Sequence, residues 1–373
     1  MIEEALSLIE REYYDAGVTR EDLVEAAVRG MVDHLNKRAQ RSGQPAVNAV
    51  LSRRDMTRLT DSMSGRVTGI GVLAKPSSAG IEVLQVFEGS PAGRAGLHPG
   101  DRIAAVNDVR VVGGGADAFS LLRGDDGTPV RLSVVRDAGS PRETSLELKL
   151  VRGRYTVSAV TSRMLDDEVG YLRIATFTRG SADDVAGNIL ALRDQGAWGL
   201  IVDLRGNPGG SLDEATRIAG MFIEPGRPLL QIQGREGAQP VTAAGEVLWG
   251  SPSPVTVLVD GGTASAAEAL ASALQTNERA LLVGERTAGR GLGESIFPLP
   301  GGGAMRIATA RFADAYGGTW IARGLTPDSP IHGATLDPTE DPPLRAALTI
   351  MARFRGRPAT PDSDLTSLPT PLR

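Results

Sequence analysis

Short apolar runs in the second half of the chain constrain the fold more than any other feature. Each run is four to seven residues long and is separated from the next by glycine-rich turns and helix-compatible segments such as residues 182–195 and 212–222. Short apolar strands that alternate with helices are typical of βαβ units. We therefore predict an α/β core with a mixed or largely parallel sheet flanked by helices. The expected strands are residues 169–174, 198–204, 255–259 and 280–283.

The first 65 residues predict an N-terminal helical segment. Apolar residues spaced by three or four indicate amphipathic helices over residues 2–14 and 20–36. Residues 38–48 are polar and contain glycine and proline, so they are expected to form a loop. A further helix is expected over residues 53–63, and a last one over residues 341–354.

Composition excludes several classes of function. Hydrophobic and charged contents of 41% and 23% are ordinary for a soluble globular chain of 373 residues. A net charge of −5 gives no electrostatic footprint for nucleic acid, so no nucleic-acid partner is expected. No apolar run has membrane-spanning length, and the chain opens directly on an amphipathic segment, so we expect neither a membrane span nor a signal peptide. The absence of cysteine excludes disulfides and a thiol nucleophile, and three scattered histidines disfavour a metal site; no cofactor is expected.

A separate module is expected over residues 66–152. Its diagnostic segment is residues 89–101, Gly-Ser-Pro-Ala-Gly-Arg-Ala-Gly-Leu-His-Pro-Gly-Asp, which lies between two alternating strand patterns. This segment resembles the pattern of turn residues in PDZ domains, which bind the C-terminal ends of peptides. The resemblance implies a β-rich module with a groove helix, for which residues 118–123 are the candidate.

The resemblance also implies a binding loop for a peptide carboxylate. A PDZ domain adds the peptide to a sheet edge and holds its terminal carboxylate with successive backbone N–H groups. The candidate loop is Thr68, Gly69, Ile70 and Gly71, where glycine lets the backbone approach closely. The alternative is a glycine-rich turn that binds nothing. The expected partners are polypeptides with a free C-terminus.

Three further segments occur in a fixed order downstream: residues 203–210, 260–275 and 284–294. A weaker fourth segment is residues 321–328. Together with the PDZ pattern, this ordered set resembles the carboxyl-terminal processing peptidases, the tail-specific serine proteases. The resemblance implies a protease core over residues 153–354, and the Pro-, Ser- and Thr-rich residues 355–373 are expected to be a disordered tail.

The resemblance assigns roles to individual residues. Ser265 stands at the position of the nucleophile, at the start of a helix. The backbone amides of Ala266 and Gly210 stand at the positions of the two oxyanion donors. Arg290 stands where the family has its general-base lysine, and Glu294 stands where the family has a glutamine.

Arg290 is the departure that matters for chemistry. A desolvated lysine can lose its proton, whereas an arginine in a protein effectively cannot. The lysines of this chain are Lys37, Lys75 and Lys149, so a Ser–Lys dyad within the downstream half is impossible. Since Arg290 and Glu294 are four residues apart, we expect them to form an ion pair near Ser265 if the loop is locally helical.

Other interpretations of these positions remain open. Ser265 taken alone is an ordinary helix N-cap, and Ser272 is a rival serine further along the same helix. His332, Glu268 and Glu294 are the alternative bases, although Glu268 is expected to be a helix-turn carboxylate and His332 a loop residue.

The sequence therefore supports more than one function. The first is a serine endopeptidase that recognises C-terminal tails, with slow turnover because of Arg290. The second is an inert PDZ-bearing scaffold or regulator, and the third a base-substituted variant of an active protease. The resemblance implies an exported, extracytoplasmic protein, and oligomers are compatible with the sequence.

Overall fold

A computed structural model describes residues 1–15, 17–77, 79–87, 89–111, 116–156, 159–300, 302–332 and 341–355. The chain divides into two compact units. The inserted unit is Thr60–Ser158, and the other combines Met1–Leu59 with the chain from Ala159 onward. The first two helices of the chain thus belong to the same unit as the downstream core, and the boundary falls within the third. The expected tail, from residue 356 on, lies outside the described residues.

The α-helices of the described residues are distributed along both units. They are α1 (Ile2–Glu12), α2 (Arg20–Arg41), α3 (Arg53–Met63), α4 (Pro91–Arg94), α5 (Ala116–Leu122), α6 (Ser181–Asp194), α7 (Leu212–Gly220), α8 (Ala266–Thr276) and α9 (Pro342–Phe354).

The strands fall into three larger sheets and one two-stranded ribbon. They are β1 (Ala49–Leu51), β2 (Arg66–Gly69), β3 (Val72–Ser77), β4 (Gly80–Val86), β5 (Arg102–Val106), β6 (Val109–Arg110), β7 (Pro129–Arg136), β8 (Thr144–Val151), β9 (Gly153–Thr156), β10 (Val160–Leu165), β11 (Val169–Ile174), β12 (Gly199–Asp203), β13 (Pro228–Gly234), β14 (Gly237–Thr242), β15 (Val255–Val259), β16 (Leu281–Gly284), β17 (Leu292–Pro298), β18 (Ala304–Asp314) and β19 (Ser329–Pro330).

The central sheet of the larger unit has the order β10-β11-β12-β15-β16-β19. Strand β10 is antiparallel to β11, and the remaining pairs are parallel. Every residue of β12 and β15 is buried, because helices cover both faces of the sheet. This confirms the predicted α/β core with a largely parallel sheet.

Two apolar clusters fix which helix lies on which face. Leu200 and Val202 face a cluster that includes residues of α6, α7 and α8. Ile201, between them in β12, faces a second cluster with Leu344 and Ile350 of α9. Because alternate residues of a strand point to opposite faces, one apolar run serves two layers of helices.

A second, antiparallel sheet was not expected from the sequence. Its path is β1-β18-β13-β14, with β17 paired to β18. Phe312 of β18 and Leu230 of β13 pack in one cluster with Ala269 of α8 and Trp320. The helix that follows Ser265 is therefore held between the two sheets.

The predicted loop over residues 38–48 is wrong in its first part. Helix α2 continues to Arg41, and the chain turns at Gly43, which has φ +68°. Lys37, Arg38 and Arg41 are good helix formers, and cations near a helix C-terminus interact favourably with its dipole. The polar composition of this segment thus reflected a solvated helix end.

The inserted unit is built on the sheet β3-β4-β5-β7-β8, with β6 paired to β5. Strand β3 is an edge of this sheet. The strands β2 and β9 form a separate antiparallel ribbon, in which Gly69 is opposite Gly153. The unit extends beyond the predicted boundaries of 66–152, because β9 pairs with β2 and so belongs to the same body.

The segment with the PDZ pattern forms a turn, the short helix α4 and a second turn. Ser90 caps α4 and donates a hydrogen bond from its hydroxyl to the Gly71 carbonyl. Asp101, at the end of the segment, pairs with Arg136 of β7 at 2.7 Å. Burial alone would raise the pKa of Asp101, but the bonds from Arg136 and the His98 amide outweigh it and lower the pKa below its ordinary value. The pattern is therefore explained by capping and by one partly buried ion pair.

Of the helices in the described part of the chain, none combines the length and apolarity needed to cross a bilayer.

Candidate active site

The three glycine-rich segments lie at the carboxyl ends of three neighbouring strands in the central sheet. The first follows β12, the second follows β15 and the third follows β16, and these three parallel strands are neighbours. Loops at the carboxyl ends of adjacent parallel strands meet, which is where open α/β sheets place their ligand sites. The three segments, which are separate in the sequence, are thereby brought together at one end of the parallel strands.

The first segment is anchored by a buried network around Asp203. The carboxylate accepts hydrogen bonds from the Arg205 guanidinium, at 2.7 Å to Nη2, and from the Tyr171 hydroxyl. Arg205 also donates from Nη1 to Asp341, the N-cap of α9, at 2.7 Å. Burial opposes the charge on Asp203, but the bonds from Arg205 and Tyr171 lower its pKa below the ordinary value. A paired and saturated network of this kind fixes the start of the turn rigidly.

Hydrogen bonds of Asn207 connect this first turn to the loop of the second segment. Its side chain accepts from the Gly209 amide at 2.8 Å and donates to the Ile174 carbonyl at 2.9 Å. Its own carbonyl accepts from the Ala264 amide at 2.9 Å. The residue before Ser265 is therefore tied directly to the glycine turn.

Ser265 occupies a strained backbone position. It is the N-cap of α8 and has φ +55° and ψ −119°, a region that costs a non-glycine residue about 1–3 kcal/mol. Gly209 packs against it: a Cβ on Gly209 would lie 2.9 Å from the Ser265 Cβ and 3.0 Å from the Ala266 nitrogen. A serine at a sharp strand-to-helix turn presents its hydroxyl at the top of the sheet.

Two backbone amides beside Ser265 are available to a ligand. Within the described residues, neither the Gly210 amide nor the Ala266 amide donates a hydrogen bond to another group of the protein. The Gly209 carbonyl accepts a hydrogen bond from the Phe177 amide, and the Phe177 carbonyl accepts one from the Ser211 amide. Ala266 is buried and starts helix α8, where a free amide favours an anion, whereas Gly210 is exposed and its amide is open to solvent or to a ligand.

Glu268 was expected to be an ordinary helix-turn carboxylate, but in the structure it connects two loops. Its side chain is buried and each of its oxygens accepts two hydrogen bonds. One oxygen takes the Thr287 hydroxyl at 2.5 Å and the Gly289 amide at 2.7 Å. The other takes the amides of Ser265 at 3.0 Å and Arg290 at 2.8 Å. One carboxylate therefore clamps the loops of Ser265 and Arg290 together.

The clamp also argues against Glu268 as a general base. Burial raises the pKa of Glu268, although its hydrogen bonds partly offset that effect. A carboxylate has about four lone-pair sites, and four donors already use them. The signal in the sequence was a single acid in an otherwise apolar helix start, three residues after Ser265.

The structure brings residue 290 beside Ser265 but does not form the predicted ion pair with Glu294. The Arg290 amide shares an oxygen of Glu268 with the Ser265 amide, and the Arg290 side chain is exposed. Within the described residues the Arg290 guanidinium makes no ion pair. Glu294 instead pairs with Arg306 of β18 at 3.1 Å.

The physical reason is the local backbone. Residues 285–291 form no helix, and Leu292 begins strand β17, so a spacing of four does not place 290 and 294 on one face. In β17, Glu294 and Ile296 share a face, and Ile296 is opposite Arg306. Arg306 is thus the diagonal cross-strand neighbour of Glu294.

The remaining candidates lie away from this chemistry. His332 is exposed and lies 3.8 Å from Glu285. Ser272 is buried within α8. Among the described residues there is no group of three or more His, Asp or Glu side chains placed to hold a metal.

The candidate carboxylate loop of the inserted unit is divided between a strand and a link. Thr68 and Gly69 end β2 and are paired with β9. Ile70 and Gly71 connect β2 to the edge strand β3, and within the described residues neither of their amides donates a hydrogen bond. Gly71 has φ +87°, and a Cβ there would lie 2.1 Å from the Ser90 Cβ, so only glycine fits.

Comparison with known proteins gives the family. The model of peptidase family S41 matches residues 168–331, and a PDZ domain model matches residues 82–136. The chain is 31% identical over 329 residues to carboxy-terminal processing protease CtpA of Bacillus subtilis, covering 87% of this chain and 67% of that protein. It is 35% identical over 277 residues to the carboxyl-terminal-processing protease of Synechocystis, covering 72% and 64%. The chain belongs to the carboxyl-terminal processing proteases.

Solved structures agree with this family. The photosystem II D1 C-terminal processing protease superposes with a TM-score of 0.52 at 28% identity, over 88% of this chain and 92% of that one. A putative S41 protease from Bacteroides fragilis, at 21% identity and a TM-score of 0.59, shares the fold over 77% of this chain and 84% of its own. The present member of the family spans about two thirds of the length of the two curated relatives named above.

Proposed function

We propose that this chain is a serine endopeptidase of the carboxyl-terminal processing type whose turnover is slow because an arginine stands at the base position. Ser265 is the nucleophile. Its hydroxyl oxygen attacks the acyl carbon of a peptide bond, and the amides of Gly210 and Ala266 receive the oxyanion that forms. The C–N bond then breaks, the amine leaves with a proton supplied by water, and a second water hydrolyses the Ser265 ester to release the acid. The observation that carries this proposal is the pair of unsatisfied amides beside a serine held at positive φ.

The slow step in this proposal is removal of the hydroxyl proton. The Arg290 guanidinium stays protonated and has no lone pair to accept that proton. The lone pairs of Glu268 are occupied, and Glu294 is held by Arg306. Ser265 is therefore a neutral hydroxyl whose proton passes to water, which removes most of the benefit of general-base catalysis.

The experiment compares the parent with Ser265→Ala on an unstructured polypeptide. We expect slow cleavage by the parent that the alanine variant lacks, because the oxyanion donors alone accelerate acyl transfer over water. Glu236→Ala, in the turn between β13 and β14, is the matched control, because it is prepared in the same way and should cleave at the rate of the parent. Equal rates for the parent and Ser265→Ala would exclude Ser265 as a nucleophile in this chain.

A peptide-binding function of the PDZ domain is the second part of the proposal. The amides of Ile70 and Gly71 directly precede β3, the edge strand of the sheet, so a peptide can add as a strand and place its carboxylate on these N–H groups. If Arg290 abolishes turnover, this domain makes the chain a peptide-binding scaffold. An extracytoplasmic location, implied by the resemblance to exported relatives, is part of the same proposal.

The carboxylate contribution is measured with two peptides. A peptide that ends in a free alanine or valine is titrated against its C-terminally amidated twin, on the Ser265→Ala chain so that no cleavage intervenes. Hydrogen bonds to a charged group are worth about 1.5–3 kcal/mol, so we expect the free acid to bind at least about tenfold more tightly. Equal affinities would mean that the Ile70–Gly71 amides hold no carboxylate.

A further inference from the structure

We propose that Arg152 is a positioning residue of the PDZ peptide groove. Its guanidinium holds the C-terminal end of α5, and its backbone directly precedes the ribbon that leads to the carboxylate loop. One residue thus sets the distance between the two sides of the groove. The inference rests on the proposed peptide-binding function of this domain.

The contacts of Arg152 converge on the end of α5. The guanidinium donates from Nη2 to the Leu121 carbonyl at 2.8 Å and from Nε to the Leu122 carbonyl at 3.3 Å. From Nη1 it reaches the Thr128 hydroxyl and the Pro129 carbonyl, both at 3.1 Å. The last carbonyls of a helix have no partner within the helix, so this cation satisfies them and complements the helix dipole.

The environment of Arg152 shows that it is a permanent part of the core. Its exposed fraction is 7%, and within the described residues no carboxylate pairs with it. Burial lowers the pKa of Arg152. Because a buried cation without a counter-ion is costly, carbonyl oxygens must replace the lost water. The turn that carries those oxygens is therefore tied to the position of one side chain.

The backbone of Arg152 fixes the same turn a second time. Its amide donates to the Thr128 carbonyl at 2.8 Å, and its carbonyl accepts from the Gly127 amide at 2.9 Å. Gly124 lies against the side chain, since a Cβ there would be 2.8 Å from Cδ and Nε of Arg152. The loop between α5 and β7 thus wraps around Arg152.

Gly153, the residue after Arg152, connects it to the other side of the groove, which is formed by β3. Gly153 begins β9 and is opposite Gly69, the last residue of β2, and the chain continues through Ile70 and Gly71 into β3. Val72 of β3 and Phe119 of α5 pack against one apolar cluster. The register of the ribbon and the end of α5 are therefore set from adjacent residues.

An arginine is required by this geometry. The planar fork donates to α5 and to the start of β7 at the same time, whereas a lysine has one compact ammonium group. Arg152→Lys keeps the charge and loses the simultaneous contacts. Arg152→Met removes both. Arg131→Met, an exposed arginine of β7 that pairs with Asp108, is the matched control.

The experiment uses the full chain with Ser265→Ala and the free-acid and amidated peptides, at a temperature where circular dichroism shows every variant folded. We expect Arg152→Met to weaken binding of the free acid about tenfold, Arg152→Lys to fall between it and the parent, and Arg131→Met to stay within about twofold. Hydrogen exchange without peptide should accelerate at the amides of α5 and of residues 123–128 in Arg152→Met.

The outcomes separate this inference from the function on which it rests. Preference of the parent for the free acid supports the peptide-binding proposal, and loss of that affinity in Arg152→Met supports the positioning role. Unchanged affinity in a folded Arg152→Met overturns the inference while the peptide-binding function stands. If the parent binds the free acid and the amide equally, recognition of the carboxylate fails; if it binds neither, the peptide-binding function fails. In either case unchanged exchange in α5 of Arg152→Met would overturn the positioning role as well.

Discussion

Replacing Arg290 with lysine is expected to raise Ser265-dependent cleavage of an unstructured polypeptide by about 100- to 10,000-fold. The structure supports the substitution because the backbone of residue 290 is already held beside that of Ser265 by Glu268. Only the neutral amine accepts a proton, so the rate of Arg290→Lys should rise with pH towards the lysine pKa of roughly 10. The parent has a guanidinium at this position, which offers no lone pair to accept the proton.

The structure also decides whether a second substitution is needed. A carboxylate at residue 294 that is free to pair with a restored lysine would keep the lysine charged. Glu294 is instead paired with Arg306 on the neighbouring strand. We therefore expect Arg290→Lys alone to give most of the gain, and Arg290→Lys with Glu294→Gln to add only a few-fold.

Turnover is measured for these variants, each beside its Ser265→Ala version. Arg193→Lys, an exposed change on α6, is the control for a general effect of lysine and should leave the rate unchanged. Vigorous Ser265-dependent cleavage by the parent, unimproved by either variant, would show that another base operates. Absence of cleavage in every variant would favour the scaffold function.

Removal of the Glu268 carboxylate is expected to have the largest effect on stability. In Glu268→Ala the amides of Ser265, Gly289 and Arg290 lose their buried acceptor. Each unsatisfied buried donor costs about 1–3 kcal/mol, and relaxation of the loops recovers part of that, so we expect a loss of about 3–5 kcal/mol in the free energy of unfolding. Glu268→Gln keeps one acceptor oxygen and the shape, and should lose about 1–3 kcal/mol.

The measurement is urea unfolding followed by tryptophan fluorescence. The tryptophans of the chain are Trp198, Trp249 and Trp320, all in the unit that contains Glu268, so the signal reports that unit alone. Glu236→Ala, an exposed change, should stay within about 0.5 kcal/mol of the parent. A Glu268→Ala chain as stable as this control, with unchanged exchange at the amides of Ser265 and Arg290, would disprove the clamp.

The proposed chemistry has two separate parts: stabilisation of the oxyanion and removal of the serine proton. In the proposed mechanism the amides of Gly210 and Ala266 that would receive the oxyanion are kept, while Arg290 stands at the position of the base lysine. The two functions are separable, because backbone amides are supplied by the turn and the helix start, whereas the base is a single side chain. Under this proposal the single change at residue 290 slows turnover and leaves the oxyanion donors in place.

Much of this arrangement was determined by the sequence itself. The apolar runs predicted the strands β11, β12, β15 and β16 within one or two residues at each end, because a strand buried on both faces needs a continuous apolar stretch. The PDZ pattern predicted its module because part of it acts locally: Ser90 caps α4 through the Gly93 amide, and Asp101 accepts a hydrogen bond from the His98 amide. The absence of lysine beyond residue 149 excluded a Ser–Lys dyad in this half of the chain.

Tertiary structure decided what depends on partners distant in sequence. The pairing of β1 with β18, the link of Arg205 to Asp341 and the clamp of Glu268 on the Arg290 loop join segments that no local pattern connects. The partner of Glu294 was mispredicted because spacing along the chain identifies neighbours only when the secondary structure is known. In a helix that neighbour is residue 290; in the strand that forms, the register with β18 makes it Arg306.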